Sequence, residues 1–222
     1  MNASKIVSRS AAIFRSAGAR GLWFKILGEF AYRRSLLLER ALDAPLPALA
    51  GAGEPLELEV LDASDAEELV DLHAREQPQA SDRSWPADIW HRKRFAEGYT
   101  CFAARRDRRI ISYSWTAVER APVLDLRCDI RLDPSDVYVF GSYTCRHSRG
   151  QGVSPRLAVA IIRHYHALGY RHIVSAISPE NRASLQARHK VGFRVFAKIG
   201  YVGIPVCRHY FSTTPRITMH PW

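Results

Sequence analysis

The chain is poor in cysteine, with Cys101, Cys128, Cys145 and Cys207 in 222 residues. They form no C-x-x-C pair, and no histidine stands at zinc-ligand spacing from them. Disulfide frameworks and structural zinc are therefore not expected, and free thiols in a reducing compartment, the cytoplasm, are. Apolar runs of membrane-spanning length are missing, so no spanning helix is expected. There is no internal repeat and no low-complexity run. Acidic residues are missing from the first part of the chain, where Glu29 is the first. The content that remains is 47% hydrophobic, enough at this length for one sizeable core, and the formal charge is +10. That charge calls for an anionic partner: nucleic acid, membrane headgroups and cofactor phosphates all qualify. The basic residues are spread out and no nucleic-acid module is visible, so no specific nucleic-acid partner is expected.

Residues 1–49 stand apart. Lys5, Arg9, Arg15, Arg20 and Lys25 accompany an apolar set of Leu22, Trp23, Phe24, Ile26, Leu27 and Phe30, which predicts a basic amphipathic helical arm. Three readings fit it: a helix in an anionic membrane interface, a helix packed on the domain with Arg33 and Arg34 solvated, or an Arg-rich transit peptide. Pro, Ala and Gly crowd residues 44–55 as a linker, placing the domain at 56–212 with a tail at 213–222.

Within the domain, residues 56–61 alternate as a strand and 64–75 form a helix with a capping-box pattern. Residues 77–84 are turn-rich, and 86–97 fit a second helix ended by Gly98. Trp85, Trp90 and Phe95 are candidates either for an acceptor pocket or for the core. Strands follow at 99–105 and 109–118 across Asp107-Arg108, then at 124–132, 136–144, 172–178, 195–202 and 206–211. The prediction is a mixed α/β sheet of six to seven strands flanked by helices.

The most informative stretch is Arg149-Gly150-Gln151-Gly152-Val153-Ser154, between the strand ending near Thr144 and a helical repeat at Leu157, Ile161, Tyr165 and Leu168. Ser154-Pro155 reads as N-cap and first helical residue, with Gly169 as the stop, giving a helix of about thirteen residues. The loop N–H groups and the helix dipole then face an anion. A second strand, Pro179-Glu180-Asn181 as a helix start, and Gly192-Phe193 complete the pattern.

Arg-x-x-Gly-x-Ser, a helix, a strand, Asn-x-x-Ser and Gly-Phe together resemble the acetyl-CoA-binding core of the GNAT N-acyltransferases. The resemblance implies acetyl-CoA or another acyl-CoA as co-substrate, its pyrophosphate cradled by residues 149–154. Its arm would lie along Thr144 and Cys145, with Asn181 and Ser184 flanking it. It also implies direct transfer to an amine acceptor in a ternary complex and an oxyanion donor at a backbone N–H near Cys145. Two departures matter: Ser154 stands where the family has glycine or alanine, and Arg188 stands where it has a proton-donating tyrosine.

For the base, Asp136 and Glu119 are the candidates, with His147 behind them. Arg188 is either a charge for the leaving thiolate, a phosphate partner, or a solvated helix residue. Tyr143 and Tyr201 are alternative acids, and Cys145 reads as a small buried thiol. Two other readings stay open: a membrane-docked acyltransferase acting on a lipid-linked or glycan acceptor, and a non-catalytic binding protein for coenzyme A or nucleic acid.

Overall fold

The computed structural model describes residues 32–47, 55–76, 87–204 and 207–222. Its strands are β1 (Tyr32–Ala41), β2 (Glu57–Leu61), β3 (Thr100–Arg106), β4 (Arg109–Val118), β5 (Arg120–Val123), β6 (Cys128–Arg131), β7 (Asp136–Thr144), β8 (His172–Ile177), β9 (Arg194–Ile204), β10 (Cys207–Ser212) and β11 (Thr218–Pro221). The α-helices are α1 (Ala66–Glu76), α2 (Ala87–Ala96), α3 (Val153–Ala167) and α4 (Arg182–Lys190). An eight-stranded sheet runs β10-β9-β1-β8-β7-β4-β3-β2, and a three-stranded one runs β11-β6-β5. The expected mixed sheet flanked by helices is there, with eight strands rather than six to seven.

Local chemistry explains most elements. Asp107 and Arg108 both adopt positive φ, at 50° and 62°, the backbone that a two-residue hairpin between right-twisted strands requires. β7 and β8 are the parallel pair, and α3 is the crossover between them. Val153, Leu157, Ile161, Ile162 and Tyr165 bury its sheet-facing stripe. Tyr165 Oη lies 2.6 Å from Thr116 Oγ1, so the phenol enters the core with a partner. α1 is docked by Arg105 of β3, which binds Glu59 and Glu68 and reaches Asp65 at 2.9 Å.

Three boundaries differ from the sequence reading. Residues 32–41, expected at the end of a helical arm, form a central strand antiparallel to both β8 and β9. Leu37 and Leu38 are both fully buried, because both sheet faces are covered and the β1–β9 register shifts between them. A short apolar run covered on both faces has no alternation to read. Arg40 anchors the end of the strand: it is buried and donates to the carbonyls of Val191, Ala41, Ala44 and Pro45 at 2.8–2.9 Å. The helical arm otherwise falls on residues 1–31, outside the described residues.

The expected tail at 213–222 is also built in. β11 pairs with β6, Ile217 is buried, and Arg216 bridges Glu39 at 2.6 Å and Asp136 at 2.8 Å. Finally, the strand expected over 124–132 is broken by a 3-10 turn at Leu124–Leu126, closed by Arg127 at φ 52°.

Candidate active site

β7 carries the site. Its register with β4 passes from Trp115↔Phe140 to Tyr113↔Tyr143, so Gly141 and Ser142 together oppose Ser114. That is a bulge, and it ends the alternation of faces expected along the strand. On its other side β7 pairs with β8 from Asp136↔His172 as far as Tyr138↔Val174 and no further. Gly141 and Ser142 therefore have no register partner in either neighbour, and the two parallel strands part at this level. Gly141 sits at φ 56°, and a Cβ there would lie 2.8 Å from Arg94 Nη1. Glycine suits that backbone, and a side chain there would displace the Arg94 guanidinium.

A pocket of about 350 Å³ opens over the bulge. Tyr113, Gly141, Ser142 and Tyr143 line its sheet side, and Glu76, Arg94, Arg146 and Arg149 bring charge. Arg94 packs its guanidinium over Trp90 at 4.2 Å, Phe140 at 4.9 Å and Trp115 at 5.2 Å. Phe95 packs on Trp115, ring to ring at 4.8 Å. Of the three aromatics singled out in the sequence, Trp85 lies outside the described residues. Trp90 reaches the pocket through Arg94, and Phe95 serves the core.

Beyond Thr144 the chain makes a 3-10 turn, Arg146–Ser148, and then the glycine loop. Gly150 and Gly152 have φ 78° and 73°, and a Cβ at either would meet nothing within 4 Å. α3 begins earlier than Ser154-Pro155 suggested: Gly152 is the N-cap, and its carbonyl accepts the first helical bond from Arg156 N at 3.2 Å. Ser154 is thus a first-turn residue whose backbone N–H, with that of Val153, points out of the helix end, while Pro155 has none to offer. The loop is braced by its own side chains. Gln151 donates to the His147 carbonyl at 2.7 Å and accepts from Arg106 at 3.0 Å, and Arg149 Nε donates to the Thr144 carbonyl at 3.0 Å.

The other carried-over residues are placed as follows. Thr144 Oγ1 pairs with Ser112 Oγ at 2.9 Å. The Cys145 N–H donates to Ile111 O at 2.8 Å and continues the ladder, so it is not available as the expected oxyanion donor. The Cys145 thiol is buried, and desolvation pushes it up to about 11. Asn181 caps α4 by accepting from Ser184 N at 3.2 Å.

Both candidate carboxylates lie at the end of the sheet away from the pocket. Asp136 starts β7 whereas the pocket is near its end, and it is buried between His172 Nδ1 at 3.0 Å and Arg216. Glu119 follows β4 next to the Val118↔Val137 pair, exposed, at φ 62°. Their strand-end positions were legible, but not which end opens. Tyr201, buried in β9 beneath Arg208 at 4.6 Å, is three strands from β7.

The acid that does line the pocket is Glu76, which the sequence reading passed over because it merely ends an amphipathic helix before a turn-rich stretch. Glu76 Oε2 accepts from Arg146 N at 3.0 Å and from Tyr143 Oη at 3.1 Å, and His147 Nδ1 lies 3.9 Å from Oε1. The Arg146 N–H above all, with help from the Tyr143 hydroxyl and the His147 and Arg146 charges, holds Glu76 below the usual carboxylate range. Burial and this bond to Glu76 raise Tyr143, making it a fixed donor rather than a ready acid.

Arg188 is not solvated. It is buried, lies over Phe193 at 5.3 Å, and donates from Nη2 to Ser142 Oγ at 3.1 Å. Desolvation brings its guanidinium down to about 10. Among the described residues no group of three or more His, Cys, Asp and Glu is placed to hold a metal. No described helix is long and apolar enough to cross a membrane.

Comparison with known proteins follows the same lines. Residues 56–194 match the acetyltransferase (GNAT) domain family. No curated protein matches the chain. Solved structures similar to it include an aminoglycoside N-acetyltransferase, AAC(6')-Iy, in complex with coenzyme A. It is 22% identical over 66% of this chain and 92% of that one, with a TM-score of 0.49. A putative acetyltransferase from Salmonella typhimurium with its cofactor acetyl-CoA is 19% identical over 74% and 91%, also at 0.49. A putative GNAT-family acetyltransferase from Novosphingobium aromaticivorans is 20% identical over 76% and 63%, again at 0.49. The family match spans more than half of the residues, and the chain belongs to the GNAT acetyltransferase family.

Proposed function

We propose that the protein transfers an acyl group from acyl-CoA, acetyl-CoA in the first instance, directly to an amine acceptor. The observation that carries this is a coincidence of place: β7 and β8 part after Tyr138↔Val174, and the chain leaving β7 forms an open glycine loop at a helix N-terminus. The loop suits a pyrophosphate. Gly150 and Gly152 leave space where side chains would stand, the N–H groups of Val153 and Ser154 face outward, and Arg106 and Arg149 are part of the loop's bracing. When bound, acyl-CoA supplies an activated thioester carbonyl; the chain supplies position, charge and a route for protons.

Among the described residues Glu76 is the one acid lining the pocket. Its carboxylate stays ionised, draws in a protonated amine and passes the amine's proton to water. Gly141 and Ser142, without register partners, offer backbone N–H groups for the thioester oxygen in place of Cys145. Replacing Glu76 by Gln keeps an acceptor for Arg146 and Tyr143 but removes the charge. The expected result is a fall in kcat/KM for the amine of about tenfold to a thousandfold, with affinity for acyl-CoA unchanged. Because Glu76 titrates below the ordinary carboxylate range, the activity its charge supports is kept above that range and lost only as pH falls through the lowered value.

The direct test is release of free thiol from acetyl-CoA in the presence of amines, amino sugars and lipid extracts, with mass spectrometry of the products. Acceptor-dependent thiol release with an acylated product is expected; hydrolysis alone across the whole panel would contradict the transfer reading.

The polarity of β1 favours one variant. Leu36 pairs with Ile177, so the Tyr32 end of the strand lies where β8 ends, on the pocket side of the sheet. Residues 1–31, basic in composition, join the sheet there. A membrane-docked enzyme acting on a lipid-linked or glycan acceptor would present its pocket toward the surface that holds it.

A further inference from the structure

Arg188 poses a physical question that the acyl-CoA reading leaves open. Its guanidinium is buried, and among the described residues its one hydrogen-bond partner is a neutral hydroxyl, Ser142 Oγ at 3.1 Å. Removing a charge from water without a counter-charge is costly, and such a group is sustained where an anion arrives. The direction of the hydrogen bonds says where. Guanidinium has no acceptor, so Ser142 accepts from Arg188. Ser142 Oγ is also bonded to Ser114 Oγ; with Ser114 as donor, the Ser142 proton is left for the pocket that Ser142 lines. Ser142 sits on the bulge, in the gap where β7 has left β8. An arm running from the glycine loop back along β7 passes Tyr143 and ends there.

We infer that Ser142 receives the sulfur of the leaving group: its Oγ–H donates to the sulfur, and Arg188 behind it supplies the opposing charge. This rests on acyl-CoA occupying the loop and the gap. The amine nitrogen bonds to the acyl carbon, and the carbon–sulfur bond breaks with its electron pair on sulfur. One proton leaves the protonated amine by way of Glu76 to water before attack and a second leaves the same nitrogen once the amide forms, while the thiolate departs as such or takes a proton from solvent. Ser142 is then a catalytic residue and Arg188 the positioning residue that polarises it. Among the described residues, the other ionisable groups facing this point are Arg94 from α2, Glu76 from α1, Tyr113 from β4, and Tyr143, Arg146 and Arg149 from β7 and the loop. Tyr138, buried beside Arg188, is held neutral by desolvation. Positive charge outweighs Glu76, which is already engaged by Arg146 N and Tyr143 Oη.

The test uses binding rather than turnover. Coenzyme A and its desulfo analogue are titrated calorimetrically into the full chain between pH 6.5 and 9.5. An anion site lowers the bound thiol below its free value, so between those two values the preference for coenzyme A over the analogue grows by about tenfold per pH unit. Arg188→Met, a substitution of similar volume that a buried site tolerates, should flatten the preference while leaving desulfo-CoA affinity unchanged. Ser142→Ala should reduce it by on the order of tenfold, the loss of one charge-assisted hydrogen bond. A wild-type protein that binds both ligands with a flat preference overturns this inference alone, as does an Arg188→Met protein that keeps the slope. A wild-type protein that binds neither ligand overturns the acyl-CoA reading and this inference with it.

Discussion

A chain starting at residue 42 is expected not to fold, whereas one starting at residue 32 keeps a cooperative melt close to that of the full protein. The reason is the position of β1, which fills the space between β8 and β9 and pairs with both. Leu37 and Leu38 have no exposed surface, and each contributes about 1.5–3 kcal/mol by burial. Those two side chains alone approach the lower end of the roughly 5–15 kcal/mol that holds a domain together. Removing the strand also leaves one edge of β8 and one of β9 without backbone partners inside the protein, and frees Val191 O from Arg40. Far-ultraviolet circular dichroism with thermal melting measures both truncations. A cooperative transition for residues 42–222 within a few degrees of the full chain would contradict the placement of β1. The same pair of proteins separates the arm from the domain: if residues 1–31 dock on a membrane, the full chain sediments with anionic vesicles at low salt, and residues 32–222 remain in solution.

How far the sequence could be read follows from where the local signals lie. The helix over Val153–Ala167 announces itself because a stripe at Leu157, Ile161 and Tyr165 faces one sheet. The β3–β4 hairpin does so because Asp107-Arg108 separates two apolar runs. The glycine loop is legible because two residues at positive φ must be glycines or pay in strain. β1 was not legible, since Ser35-Leu36-Leu37-Leu38 has no polar face to mark it as strand and its partners are more than 130 positions away. The carboxylate that lines the pocket escaped notice for a related reason. Periodicity puts Asp136 and Glu119 at strand ends, but only the sheet order shows that those ends are opposite the gap. Glu76 became visible only when the end of α1 was seen against Tyr143 and Arg146. Arg188 was noticed as a departure from a family pattern, yet its burial against Ser142 depends on how α4 packs over the parted strands.

The measurement closest to the central claim is calorimetric titration of acetyl-CoA into the wild-type chain and into Gly152→Asp. The substitution tests the cradle at a limited cost to the fold: a Cβ at Gly152 meets nothing within 4 Å, and aspartate, though strained at the 73° found there, is among the residues that adopt positive φ most readily. Its carboxylate, however, stands in the space assigned to the pyrophosphate, against like charge at a helix N-terminus. Gly152→Asn, alike in size and uncharged, separates bulk from charge. The account predicts saturable binding to the wild type, a loss on the order of a hundredfold or more in Gly152→Asp, a smaller loss in Gly152→Asn, and cooperative melting of both variants at similar temperatures without ligand. Undiminished acetyl-CoA affinity in a folded Gly152→Asp protein would contradict it.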